Sequence, residues 1–159
     1  MGLESLGYRS ARELFEAARD AARDAERKLA VLRAMEDGEG VRGAGGGIGS
    51  TGAFDPMARV DARIMREQAW AARIEDDYAL VDAACEVLYG RGFAGGLDKL
   101  LGTSYADVLY FRYLAYEGWD EVAARVGYSV PHTRRLHDTA LDYIDSNGFE
   151  ETASGERAI

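Results

Sequence analysis

The side chains with most chemistry to offer lie close together in the C-terminal third: Ser129, Pro131, His132, Arg134, Arg135 and Asp138. Ser129 suits a helix N-cap, and Pro131 suits a first turn, where a missing N–H is harmless. Projected on a helix, Thr133, Leu136, His137, Ala140 and Ile144 share one face, and Pro131, Arg134, Arg135, Asp138 and Asp142 share the other. The first set is expected to pack inward, with His137 as a buried, hydrogen-bonded histidine. The second faces outward. There, Arg134 and Arg135 can reach guanine edges or phosphates, and Asp138 can accept from a cytosine amino group. The free N–H groups at Ser129 can meet a phosphate, and His132 on the flank can add a phosphate or base contact. The same spacing also allows a plainer arrangement. Arg134 and Arg135 can each pair with Asp138, at i+4 and i+3, giving a solvated face whose ion pairs contribute little.

Such a helix needs a brace. Trp119 to Val126 reads as a helix of just over two turns ended by Gly127, and Ser129 opens the next one. A short helix, a Gly-containing turn and a second helix form the helix-turn-helix pattern, in which the first helix holds the N-terminal half of the second in the DNA major groove. Ahead of it, Ser104 is expected to cap a helix bearing Val108, Leu109, Tyr113, Leu114 and Tyr116 and ended by Gly118. A short helical piece is expected over 97–101. The N-terminal part supplies an arm. Ala11, Phe15, Ala18, Ala22, Ala25, Leu29 and Leu32 keep one face of a helix over 10–36 apolar. A longer helix over 56–88, capped by Asp55, carries two heptad series: Met57, Ile64, Ala71, Tyr78, Cys85 and Val60, Glu67, Ile74, Val81, Leu88. Between them the Gly-rich stretch 37–55 reads as a flexible connector. Its Gly47–Gly52 and Gly38–Gly43 spacings fit G-x-G-x-x-G formally, but a helix precedes them where a dinucleotide site needs a strand.

The expected fold is therefore all-α. A long helical hairpin, a coiled-coil-like arm, occupies 1–96, a three-helix helix-turn-helix domain occupies 97–147, and an acidic tail over 148–159 is expected to fray. The arm is expected to support a homodimer.

Composition removes several classes. With 19 basic and 28 acidic residues the 159-residue chain carries a net charge of −9. One cysteine, Cys85, permits no intrachain disulfide, and its place on a heptad seam makes it a packing residue. With two histidines, a structural zinc site is not expected, nor is any cofactor. No apolar run is long enough to span a membrane, and no export signal opens the chain, so a cytoplasmic protein is expected. No nucleophile–base set converges, and Glu75, Asp76 and Asp77 read as a solvated charge run, so no enzymatic activity is expected. From 97 onward six basic residues face eleven acidic ones. DNA binders usually carry a basic footprint; assistance from RNA polymerase would reconcile this acidity with the motif.

Several short runs carry a resemblance. Arg112-Tyr113-Leu114, Trp119, Glu121-Val122-Ala123, Gly127-Tyr128-Ser129, Arg135-Leu136-His137 and Ala140-Leu141 resemble the C-terminal domain of ArpU/RinA-type phage transcriptional regulators. That domain is similar to the promoter-reading C-terminal domain of bacterial sigma factors. The rest of the chain matches that family in layout only. The resemblance implies a phage or prophage protein that binds double-stranded promoter DNA and regulates late genes. Two alternatives fit the same elements: a small terminase-like DNA-packaging subunit, and a protein–protein adaptor built on a degenerate helix-turn-helix.

Overall fold

The computed structural model describes residues 3–42 and 55–159. Among them there is no strand, and the fold is all-α. Helix α1 spans Ala11–Arg42 and α2 spans Pro56–Tyr89. They pack along each other as a helical hairpin. Asp55 caps α2 by accepting from the Met57 backbone N–H at 3.0 Å, with Pro56 in the first turn. Helix α1 continues through Asp37-Gly38-Glu39-Gly40 to Arg42 rather than ending near Glu36. Each glycine costs about 1 kcal/mol against alanine, but extending an existing hydrogen-bond ladder needs no new nucleus. The Gly47–Gly52 stretch lies outside the described residues.

The short helices α3 (Gly96–Leu100) and α4 (Thr103–Leu109) follow, then α5 (Trp119–Val126), α6 (Val130–Asn147) and α7 (Phe149–Ser154). Gly102, not Ser104, occupies the cap position of α4. Thr103 instead donates its hydroxyl to Asp98 at 2.7 Å. Helix α4 runs into a π-helical turn, Tyr110–Leu114, closed by Ala115 N–H to the Tyr110 carbonyl at 3.0 Å.

One core crosses all of these elements except α5. Leu14, Phe15 and Ala18 of α1 meet Ala84, Val87 and Leu88 of α2, Leu97 of α3, Leu109 of α4 and Ala140, Leu141 and Ile144 of α6. Large side chains buried to this degree each contribute about 1.5–3 kcal/mol. A smaller cluster of Val108, Val122 and Leu136, flanked by Tyr105, Phe111 and Val126, joins α4, α5 and α6. The passage from arm to head depends on glycine. At Gly96, φ is +73° and a Cβ would stand 2.4 Å from the Tyr89 nitrogen, so only a residue without one fits.

Residues 149–154 of the expected tail form a helix instead of fraying, and only 156–159 lie exposed without regular structure. Phe149, Thr152 and Ala153 are buried against α2 and α3, and α7 completes the core. Asn147 anchors it, donating to the Thr152 hydroxyl at 3.1 Å and to the Glu156 carbonyl at 2.8 Å, and accepting from Ala158 N–H at 2.6 Å. This polar network rescues a segment whose composition alone resembles a solvated end.

The heptad seam of α2 divides in two. Ile74 and Leu88 are buried and Val81 and Cys85 are half-buried in the hairpin, whereas Met57, Val60, Ile64 and Tyr78 remain exposed. Burial also raises the Cys85 thiol pKa, which fits a packing role.

In the charge run, Glu75 and Asp76 are exposed as expected, but Asp77 turns toward α1. There it meets Asp24, which accepts from Lys28 at 2.8 Å and from Arg73 at 3.0 Å. Burial, then hydrogen bonding to Asp24, pushes Asp77 up to about 6, while its partner is held well below the usual carboxylate range. The folded pair thus keeps a proton that the unfolded chain releases near pH 4, so stability from Asp77 falls as pH rises from about 4 through 6. In Asp77→Asn an amide replaces the protonated acid. Thermal melts between pH 4 and 8 are expected to show this variant gaining on the wild type as pH rises, with the largest difference above pH 7.

Candidate nucleic-acid interface

Helix α5 has the bounds its sequence implies. Gly127, at φ +80°, ends it in a left-handed conformation, and three residues separate α5 from α6. Ser129 caps α6, its hydroxyl accepting from the His132 N–H at 3.3 Å, and Pro131 sits in the first turn. Thr133 secures the same turn from inside, donating to the Ser129 carbonyl at 2.8 Å. The inner face of α6 is Thr133, Leu136, His137, Ala140, Leu141 and Ile144, all buried. Pro131, Arg134, Arg135, Asp138 and Asp142 are exposed. The small cluster of Val108, Val122 and Leu136 holds α5 against α6 and fixes that orientation.

His137 is the buried polar centre of the head. Its Nε2 lies 2.7 Å from the Tyr113 hydroxyl and its Nδ1 lies 2.8 Å from Asp138. Burial raises the Tyr113 phenol pKa and lowers that of the imidazole. A neutral ring satisfies both contacts in one way: Nδ1–H donates to the Asp138 carboxylate, and Nε2 accepts from the Tyr113 hydroxyl. Asp138 is thereby engaged with its neighbour, and among the described residues it makes no ion pair with Arg134 or Arg135. The plain salt-bridged face is not what forms.

The two arginines find other company. Arg135 lies 3.5 Å from His132 Nδ1, and the His132 ring stands edge-on to Tyr128 at 4.7 Å between centroids. Arg134 folds back over Trp119, its guanidinium 5.1 Å from the ring centroid. Arg112 lies over the same indole at 4.6 Å. Each such contact contributes about 0.5–1 kcal/mol at a partly exposed site and holds the cation in place. The π turn aims Arg112, which donates to the Glu117 carbonyl at 3.1 Å. Glu117 spends its carboxylate on Arg125, at 2.7 and 2.8 Å.

Of the residues expected to form the surface, Ser129, Pro131, His132, Arg134 and Arg135 share the exposed N-terminal half of α6, and Asp138 borders it. Arg112 and Trp119 enter this surface without having been singled out as contacts. A cation–π pair between Trp119 and Arg134, fifteen positions apart, has no local spacing to reveal it. Comparison with known protein families, curated proteins and solved structures found no match. Among the described residues no group of three His, Cys, Asp or Glu side chains is placed to hold a metal, and no helix is long and apolar enough to cross a membrane.

Tyr113→Phe removes the hydroxyl that supports the neutral imidazole. The variant is expected to lose about 1–3 kcal/mol of stability. In a histidine NMR titration, the His137 signal should move from below the ordinary value of 6.5 back toward it.

Proposed function

We propose that the chain is a DNA-binding transcriptional regulator that reads duplex DNA with α6. The observation that carries this is the outer face of α6. Arg134 and Arg135 lie on the outer face of the N-terminal half of a helix that α5 braces across a three-residue turn, and among the described residues neither makes an ion pair with a carboxylate. A helix so presented suits the major groove, with Arg135 and His132 at base edges and the α6 N-terminus at a phosphate. The resemblance to ArpU/RinA-type phage regulators extends the reading to promoter-region DNA of a phage or prophage. RNA polymerase is a fitting second partner, because contact with it supplies affinity that an acidic surface forgoes. In the cell such a protein acts in the cytoplasm.

The arm supplies a homodimer. Met57, Val60 and Ile64 are left exposed on a heptad seam that α1 does not cover, with Met65 and, on α1, Val31 exposed as well. A dimer would present two reading heads to a two-fold site.

Fluorescence anisotropy with duplex fragments from the gene's flanking regions, at several salt concentrations, tests the reading. Binding is expected to weaken steeply with salt and to survive non-specific competitor. Arg135→Ala is expected to weaken the preferred duplex about tenfold or more, with relaxed discrimination at one base pair. No binding by folded protein at low salt would remove the proposal. Sedimentation should give a dimer that Ile64→Glu converts to a monomer with its helicity intact; a wild-type monomer would remove the arm's assigned role.

A further inference from the structure

Four arginines converge where the arm meets the reading head. Arg12 and Arg19 stand at i−3 and i+4 from Phe15 on α1, and therefore flank it on one helix face. The Phe15 ring packs at a tilt against Tyr113, 5.6 Å between centroids, which brings α1 against the π turn that carries Arg112. Arg112 and Arg134 both lie over Trp119, at 4.6 and 5.1 Å. The cations are close enough to oppose one another: after burial, the charges of Arg19 and Arg134 are what lower the Arg112 pKa.

Like charges gathered this way raise the energy of the free protein unless an anion relieves them. Among the described residues, none of the four makes an ion pair with a carboxylate, and the Nε of Arg19 is buried without a hydrogen-bond partner. The nearby carboxylates are engaged elsewhere, Glu117 with Arg125 and Asp138 with His137. Glu16 lies between Arg12 and Arg19 on α1, close enough to act on Tyr113, but it is exposed and makes no ion pair with any of the four. An orphaned guanidinium donor close to Arg112, in a group that Arg12 and Arg134 also approach, suits a ligand with several anionic oxygens, and bidentate guanidinium recognition suits phosphate.

We infer that Arg12, Arg19, Arg112 and Arg134 form a phosphate clamp beside the helix-turn-helix, and that its ligand is a backbone phosphate of the duplex that α6 reads. The inference rests on the DNA-binding reading and divides the labour within it. Arg135 and His132 read base edges. Arg134, held on Trp119, works with Arg112 and the two arm residues on the sugar–phosphate backbone, so the arm sets the register of the head on the DNA. The clamp also answers the chain's acidity: a local cluster of four cations meets the duplex although the protein as a whole repels it.

The experiment compares full-length wild type, Arg12→Gln/Arg19→Gln, Arg12→Lys/Arg19→Lys and Arg135→Ala, each checked for helicity and melting temperature. Each is titrated with a preferred and an unrelated duplex across a salt series. The Gln pair is expected to bind both duplexes about tenfold or more weakly. Its log Kd against log salt slope should fall by about two, with sequence preference unchanged. The Lys pair should retain most of the slope. Arg135→Ala should lose preference while keeping the slope nearly intact. If the Gln pair folds and binds with wild-type affinity and slope, the clamp is wrong and the reading helix stands. If the Lys pair loses as much of the salt slope as the Gln pair, charge is not what the arm contributes, and the clamp is likewise overturned. If wild type binds no duplex at low salt, both assignments fail together.

Discussion

A single buried imidazole governs the geometry of the head. His137 sits in a nearly closed environment with both ring nitrogens engaged, by Tyr113 on one side and Asp138 on the other. An unpaired polar group at that depth would cost about 1–3 kcal/mol, so the two partners are held as firmly as the ring. Tyr113 in turn packs at a tilt against Phe15 of the arm, and the Trp119 and His137 rings meet nearly at right angles, 4.9 Å between centroids. One side chain thus sets the π turn, the start of α5, the roll of α6 and the approach of α1. The exposed arginines take their positions from this buried arrangement.

The charge of the protein is better understood locally than as a sum. Much of the acidic excess near the head is occupied in building the fold: Glu117 bonds Arg125, Asp107 accepts from Tyr89 at 2.6 Å, Asp145 accepts from the Ala11 N–H at 2.7 Å, and Asp138 faces His137. Beside the exposed Asp120, Glu121 and Asp142, the head offers a partner a set of guanidiniums with aromatic neighbours, Trp119 for Arg112 and Arg134, and Tyr128 with His132 beside Arg135. Stacked cations give up less side-chain freedom on binding than free ones, which favours their use as positioned contacts.

Local rules made much of this legible in the sequence. Asp55 before Pro56, Ser129 before Pro131 and Gly127 after Val126 mark helix ends through capping chemistry confined to a few residues, and the structure places those ends there. The inner face of α6 follows from helical period alone. Other features depend on partners distant in the chain. Whether the segment after Asn147 frays is decided by the surface that α2 and α3 offer to Phe149 and Ala153. Asp77 reads as solvated until α1 brings Asp24 to it. The same holds for Arg12 and Arg19, which only the Phe15–Tyr113 contact, about a hundred residues apart in the chain, brings near Arg112.

The central claim is that α6 enters the groove with Trp119 and its arginines alongside. Backbone amide and indole chemical shifts of the 17.4 kDa chain, followed by NMR as a duplex is titrated in, test it most directly. The largest shifts are expected along 129–136, at Arg112 and at the Trp119 indole, with smaller ones at Arg12 and Arg19. Shifts confined to the exposed seam of α2, or none at a duplex concentration that saturates anisotropy, would contradict it.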